Sequence, residues 1–349
     1  NKLTPEVLAV GDKVPSSFGY TTFSFYETTT FDFPLAVMIY NETTENYELT
    51  SATVNIRDAG NHITYLADHE AMTTVVRLPD IYASYRVRIH KPGYHKFDQL
   101  FTLEQLKSYT EESEPLVVVL QPGSLVLWNR LGSDEEVFNS EVGPDLYFFT
   151  LGDDIHIPAN HEYVAGVSGN AITIAPGTYY SSSRVHNVVL DNPATVLNPE
   201  RGAIECYFYQ QQSPVAFNHN PHRIVDGPYG FLSGMGFMSH DVYENGAENA
   251  LSFYLALGGT PVSVSIEDFD QYNGQWLHLV AVWDRTGIDA SDETMQLYIN
   301  GVKMASATAS TWGTVFGTKV DIAGGNDNNI ARQFYVDELK FYDFAKTTF

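Results

Sequence analysis

Residues Gly274–Met304 constrain the fold more than any other stretch. They read GQWLHLVAVWDRTGIDASDETMQLYINGVKM. Side chains alternate with a period of two in WLHLVAVWD and in MQLYI. Asn300-Gly301 joins MQLYI to a further alternating run, VKMASA. Both central residues of the tightest hairpin turn need positive φ, which Asn and Gly tolerate. The C-terminal part is therefore predicted to be antiparallel sheet.

At 349 residues the chain is too long for one ordinary sandwich and implies at least two domains. Abundant Tyr (22) and Phe (21), with recurrent β-branched runs, predict that strands dominate. The formal net charge of -24 argues against nucleic acid, whose phosphates need Lys and Arg, and against anionic membrane surfaces. No window approaches a membrane span of about 20 apolar residues, so no membrane insertion is expected. Cys206 is the sole cysteine, which excludes an intrachain disulfide. Stability must then come from core burial or a bound metal. The chain starts at Asn1 without Met, so either a leader was removed or the start is missing, and a removed signal peptide would fit an extracellular or surface-exposed protein.

Residues 1–16 are expected to form an N-terminal arm, either locally packed or lent as an edge strand to a second copy. Residues 17–122 carry short alternating runs: LAVMIY (35–40), ATVNIRD (52–58), TTVVRLP (73–79), YRVRIH (85–90) and LVVVLQP (116–122). In YRVRIH, Tyr85, Val87 and Ile89 share one face, as in a half-buried strand. Lys91-Pro92-Gly93-Tyr94 reads as a turn. Thr102 and Gln105 have capping-box spacing for one helical turn within 101–109. The order ATVNIRDAG, VRLP, YRVRIHKPGY, VVLQP resembles the carboxypeptidase regulatory-like, prealbumin-type sandwich. That resemblance implies a spacer or stalk. Gln121-Pro122-Gly123 marks the expected boundary, with residues 123–349 forming the second domain.

Four segments of the second domain resemble the laminin-G-like, concanavalin A-like jelly roll: AGVSGNAITI (165–174), GAIECYFYQ (202–210), the 274–307 hairpin, and VDELKFYDFAKT (336–347). The fold class expected is thus all-β, with two antiparallel β-sandwich domains. In IECYFY, Ile204, Cys206 and Phe208 share a face opposite Glu205, Tyr207 and Tyr209, which makes Cys206 a small core residue.

Alternation in FYVDELKFY places Asp337 on one face with Tyr335, Leu339 and Phe341. A carboxylate there must cap backbone amides, be neutralised or bind a cation. In jelly rolls like those it resembles, the matching Asp often holds a structural Ca²⁺. Asp153 and Asp154, in a Gly-containing turn, are expected to help complete such a shell of six to eight oxygens. The AGGNDNN loop, with Asn326, Asp327 and Asn328, suits calcium, sugar hydroxyls or an ordinary turn. In the 211–250 insertion, Tyr229, Phe231, Phe237 and Tyr243 offer a sugar-stacking shelf or simple loop packing. His219, His222, His240 and Asp241 could ligate a metal, but their loop gives no fixed geometry. DRTGIDASDET (284–294) reads as a solvated acidic loop.

Jelly-roll glucanases carry three acids on one strand face. Read as a strand, IEDFDQY (266–272) splits Glu267 from Asp268 and Asp270, and no closing Glu follows, so no hydrolase is expected. Nor does the sequence hold a Gly-x-Ser-x-Gly elbow, a phosphate-binding loop or a His-Glu-x-x-His zinc motif. The expectation is a non-catalytic binding protein that meets a glycan or a surface protein through loops 211–250 and 323–329. The alternative is an assembly subunit of a virion or filament that self-associates through residues 1–16. Asn41-Glu42-Thr43 is a glycosylation acceptor motif, meaningful only in a eukaryotic secretory setting.

Overall fold

The computed structural model describes residues 13–16, 19–22, 29–60, 62–109, 114–150, 161–174, 186–211, 222–227, 234–242, 248–289, 291–324 and 334–349. The chain divides into two compact units, residues 1–89 with 97–119, and residues 90–96 with 120–349. Lys13–Ser16 forms a hairpin with Gly19–Thr22. The last residues of the expected arm are therefore already paired within their own chain.

The first unit holds two four-stranded sheets. In one, Thr30–Asn41 pairs with Asn46–Leu49, Thr74–Pro79 and Leu116–Leu120. The other runs in the order Ile63–His69, Ala52–Asp58, Ser84–His90, Phe97–Thr102. Tyr85, Val87 and Ile89 are fully buried, as their alternation requires. The short helix Leu103–Lys107 carries the expected capping box. Thr102 Oγ1 accepts from the Gln105 amide at 3.2 Å, and Gln105 Oε1 accepts from the Thr102 amide at 2.8 Å.

The second unit is a sandwich of eight strands on seven. The front sheet runs His161–Ala165, Asn170–Ile174, Phe334–Tyr342, Arg201–Gln210, Trp276–Asp284, Met295–Ile299, Val302–Ala307, and Leu125–Asn129 also pairs with Phe334–Tyr342. The back sheet runs Tyr147–Thr150, His186–Asp191, Lys319–Ile322, His222–Asp226, Met235–Val242, Glu248–Leu255, Val262–Ile266. Between them lies one apolar cluster, with Ile204, Cys206, Phe208, Leu279 and Trp283 from the front and Ile224, Phe237, Phe253 and Ile322 from the back. Cys206 is fully buried, and burial pushes its thiol pKa up, as befits a core residue rather than a nucleophile.

The pattern of Phe334–Tyr342 departs from simple alternation. Tyr207 faces Asp337 while Glu205 faces Lys340, so Cys206 alone opposes Glu338 and Leu339. Glu338 sits at φ 54, the local distortion of a β-bulge. Phe334 and Val336 point into the core before the bulge, and Leu339 and Phe341 after it. Asp337 consequently shares the outer face with Tyr335, not the core face with Leu339 and Phe341 as alternation predicted.

The Asn300-Gly301 turn has φ 50 and 79, the all-positive pair its sequence called for. A Cβ on Gly301 would meet nothing within 4 Å, whereas one on Gly202 would lie 2.4 Å from the Trp283 ring. Gly301→Ala is therefore expected to cost about 1 kcal/mol through backbone strain alone. Gly202→Ala is expected to cost at least twice as much, because it displaces a core tryptophan. Urea unfolding of the two variants checks this ordering, and equal losses would contradict it.

Candidate functional site

One end of the sandwich gathers the chain's excursions. Register places Thr150 opposite His186, Val188 opposite Ile322 and Val225 opposite the same Ile322. His222 faces Ser239, and Val242 faces Glu248. The strand ends at 150, 186, 222, 242, 248 and 322 therefore lie together at one end of the back sheet. Phe334, which stacks on His222 at 5.0 Å, brings the start of a front strand to the same end. Residues 151–160, 175–185, 212–221, 243–247 and 325–333 all connect to strand ends there.

Most of the expected ligand residues lie on these connections. Asp153, Asp154, Tyr243, Asn326, Asp327 and Asn328 fall outside the described residues, as do Tyr229, Phe231 and His219. The strand ends that bracket Tyr243 and Asn326–Asn328 lie at one end. Asp226 and Met235, which bracket Tyr229 in sequence, lie at the opposite end of the same sheet.

Phe237 is not a ligand residue of an open shelf. It is fully buried, packs edge-on against Phe253 at 6.1 Å and belongs to the core. The reason is strand phase: Phe237 lies inside Met235–Val242, where its side chain faces the front sheet.

Asp337 caps a turn. Its Oδ2 accepts from the backbone amides of Val167 at 2.7 Å and Ser168 at 3.0 Å. The close approach is possible because Gly166 has no Cβ, which would sit 2.5 Å from that oxygen. Oδ1 is buried without a hydrogen-bond partner. Burial pushes the carboxyl above the usual carboxylate range against the pull of the Ser168 and Val167 amides, and the Glu338 charge adds to the rise. An orphaned buried carboxylate oxygen fits a cation. Among the described residues, however, no group of three His, Cys, Asp or Glu could hold a metal. Thr150 and His161, the strand ends that bracket Asp153 and Asp154, lie at the far end of the His161–Ile174 hairpin from the turn Asp337 caps.

The histidines separate as well. His222 and Ser239 are register partners, so His240 points to the other face of the back sheet. His240 bonds Ser252 Oγ at 2.7 Å, and burial lowers its pKa to about 4, which leaves it neutral near pH 7. The 284–294 loop is not a bare acidic surface. Asp284 is buried against Lys96 Nζ at 3.1 Å, His90 contacts Asp289 at 2.8 Å, and Lys303 contacts Glu293 at 2.7 Å. Nor does IEDFDQY form a strand: pairing ends at Ile266, Asp268 turns at φ 53, and Phe269–Tyr272 is one 3₁₀ turn with Phe269 in the core.

Two constellations escaped sequence reading. On the outer face of the back sheet, Asp226 and Asp321 are register partners. Asp226 is held by Arg223 at 2.8 Å and by the Tyr254 hydroxyl at 3.1 Å, and the Tyr254 ring lies across Gly236. On the outer face of the front sheet, Glu205 receives His278 at 3.1 Å and Lys346, whose Nζ lies 4.3 Å from the Tyr342 ring centre. Alternation alone puts Glu205 and His278 outward, but only register makes them neighbours. Burial works against the Glu205 charge, yet hydrogen bonds from His278 and Lys346 outweigh it and draw the pKa down to about 2.

A laminin-G-type family model, described as the concanavalin A-like lectin/glucanases superfamily, matches residues 191–348. No curated protein matches the chain. Similar solved structures include the receptor-binding domain of the botulinum neurotoxin C/D mosaic serotype, 12% identical over 64% of this chain and 48% of that one, TM-score 0.43. Another is the binding domain of Paraclostridial Mosquitocidal Protein 1, 13% identical over 63% of this chain and 49% of that one, TM-score 0.44. The chain spans about half the length of these structures. At such TM-scores the likeness carries no weight for function.

Two outcomes follow for the buried acids. Glu205 has a folded pKa below its unfolded value, so its stabilisation is complete above about pH 4.5 and lost as pH falls toward 2. Glu205→Gln is expected to cost about 3 kcal/mol at pH 7 and to flatten the acid limb of a stability–pH curve. A parallel curve would contradict the network. Asp337 has a raised folded pKa, so the penalty on its charge is present above that pKa and relieved below it. Asp337→Asn keeps an acceptor for the turn amides and is expected to stay within about 1 kcal/mol of wild type. Asp337→Ala, which orphans both amides, is expected to lose about 2 kcal/mol in urea unfolding at pH 7.

Proposed function

We propose that the chain is a non-catalytic binding protein, extracellular or surface-displayed, that recognises a glycan through the loop-bearing end of its jelly roll. The observation that carries this reading is the convergence of five connections at one end of the back sheet. The strand ends form a scaffold, and the loops that join such ends are where ligand contacts usually lie. The match of residues 191–348 to a superfamily named for lectins as well as glucanases supports a carbohydrate as the ligand class. The strand ends that bracket Asn326, Asp327 and Asn328 and those that bracket Tyr243 lie at that end, and these residue types offer amide and carboxylate oxygens and an aromatic ring.

In this reading the first unit, with its two four-stranded sheets, is a spacer of the prealbumin type. Calcium plays a structural part. Asp337 Oδ1 would supply one hard oxygen, with carbonyl oxygens of the turn it caps beside it rather than Asp153 and Asp154, whose bracketing strand ends lie away from that turn. Among the described residues no helix is long and apolar enough to cross a membrane.

A glycan array with and without EDTA tests the reading. Wild type is expected to bind a restricted set of glycans, and Asn326→Ala/Asp327→Ala/Asn328→Ala to lose that binding by tenfold or more, roughly the worth of 1.4 kcal/mol. Absence of any glycan signal in both conditions would remove the glycan reading. If calcium is structural, its addition at 100 times its Kd raises stability by about 2.7 kcal/mol, and Asp337→Asn abolishes that gain. Hydrolysis of soluble β-glucans is expected to be absent. Activity that disappeared in Asp226→Asn would show that the registered Asp226 and Asp321 pair is catalytic.

A further inference from the structure

Resting on the glycan reading, we infer that the sugar contact is a row of three aromatic rings on the outer face of the front sheet, Tyr335, Tyr209 and Trp276. Tyr209 is the register partner of both Tyr335 and Trp276, so the three stand side by side across adjacent strands. Ring centres are 5.6 Å apart for Tyr209 and Tyr335 and 5.5 Å for Tyr209 and Trp276, with interplanar angles of 43° and 49°. Their strand neighbours Phe208, Leu277, Phe334 and Val336 face the core, which fixes the row on the outside. All three rings are half-buried.

The row stands one residue inside the loop-bearing end. Gln210 pairs with Phe334, and residues 212–221 and 325–333 connect to those two strand ends. It is therefore continuous with the end already assigned to recognition.

The polar tips of these rings set them apart. Of the four tryptophans, three donate their indole N–H inside the protein: Trp128 to Glu338 at 2.7 Å, Trp283 to the Asn198 carbonyl at 2.9 Å and Trp312 to the Pro199 carbonyl at 2.9 Å. The Tyr254 hydroxyl is likewise committed to Asp226, and that of Tyr298 to Gln296. The Tyr209 ring contacts those of Tyr335 and Trp276, and none of the three makes a side-chain hydrogen bond among the described residues. An aromatic ring with an uncommitted donor is amphipathic, flat and cheap to order. A pyranose has the complementary character: axial C–H groups on its face and hydroxyls at its rim. Spacing of about one ring per strand lets consecutive sugar units meet consecutive side chains. The partner class is thus a neutral oligosaccharide, stacked on the three rings and hydrogen-bonded by the Trp276 N–H and the two tyrosine hydroxyls.

An array of neutral gluco-, galacto- and xylo-oligosaccharides tests this, with wild type, Tyr209→Ala/Trp276→Ala, Trp276→Phe and the Asn326–Asn328 triple alanine variant compared. Urea midpoints confirm folding. Loss of each ring is expected to weaken binding about tenfold, so the double variant falls about a hundredfold. Trp276→Phe, which keeps a face and loses the N–H, is expected to fall between wild type and the double variant. It is also expected to lose the change in tryptophan emission that wild type shows on binding. A folded double variant with wild-type affinity would overturn the row. If the triple variant alone lost binding, the loops would stand without it. No binding by wild type would remove both proposals. Should the double variant fail to fold, unchanged affinity and emission response in Trp276→Phe would overturn the row.

Discussion

The bulge at Asp337–Glu338 is the constraint on which the second unit turns. Phe334–Tyr342 is the hub of the front sheet, hydrogen-bonded to Asn170–Ile174, Arg201–Gln210 and Leu125–Asn129. Unbroken alternation along it would either turn Asp337 into the core or expose Leu339 and Phe341. One extra residue resolves the conflict. Apolar side chains face inward on both sides of the bulge, and two consecutive carboxylates face out. Each then finds donors: the Val167 and Ser168 amides for Asp337, and the Trp128 indole for Glu338.

The same economy governs charge. A chain with net charge -24 has few cations to spare, and three of them stand against buried acids. Lys346 meets Glu205, Lys96 meets Asp284 and Arg223 meets Asp226. A buried carboxylate without a partner loses solvation that nothing returns, so removal of one partner costs more than the pair itself contributes. These pairs hold acids against the outer faces of the sheets.

Much of the fold was legible. The Asn300-Gly301 turn, the capping box at Thr102, the Tyr85–Ile89 face and the inward Cys206 all follow from local rules, because each depends on residues close in sequence. Site residues were far less so. Phe237 reads as a loop aromatic because Pro, Asn and Gly crowd the residues before it, yet it lies within a strand, Met235–Val242, that pairs with Glu248–Leu255. IEDFDQY reads as a strand because it is short and alternating, yet its Phe269 is drawn into the core by a single 3₁₀ turn. The acids of 284–294 read as solvated because their partners, His90 and Lys96, lie almost two hundred residues earlier in the chain.

The sequence by itself determined that this is sheet, where two of its turns fall and which side of most strands is wet, since period-two alternation and turn chemistry are properties of neighbouring residues. Tertiary structure alone decided which strands stand side by side. Register, set by long-range packing, puts His278 on Glu205, lines Tyr335, Tyr209 and Trp276 into one row, and uses a single bulge to turn Asp337 away from the core. Contacts between residues far apart in sequence leave no trace in local periodicity, because the free energy that selects them comes from burying both partners at once.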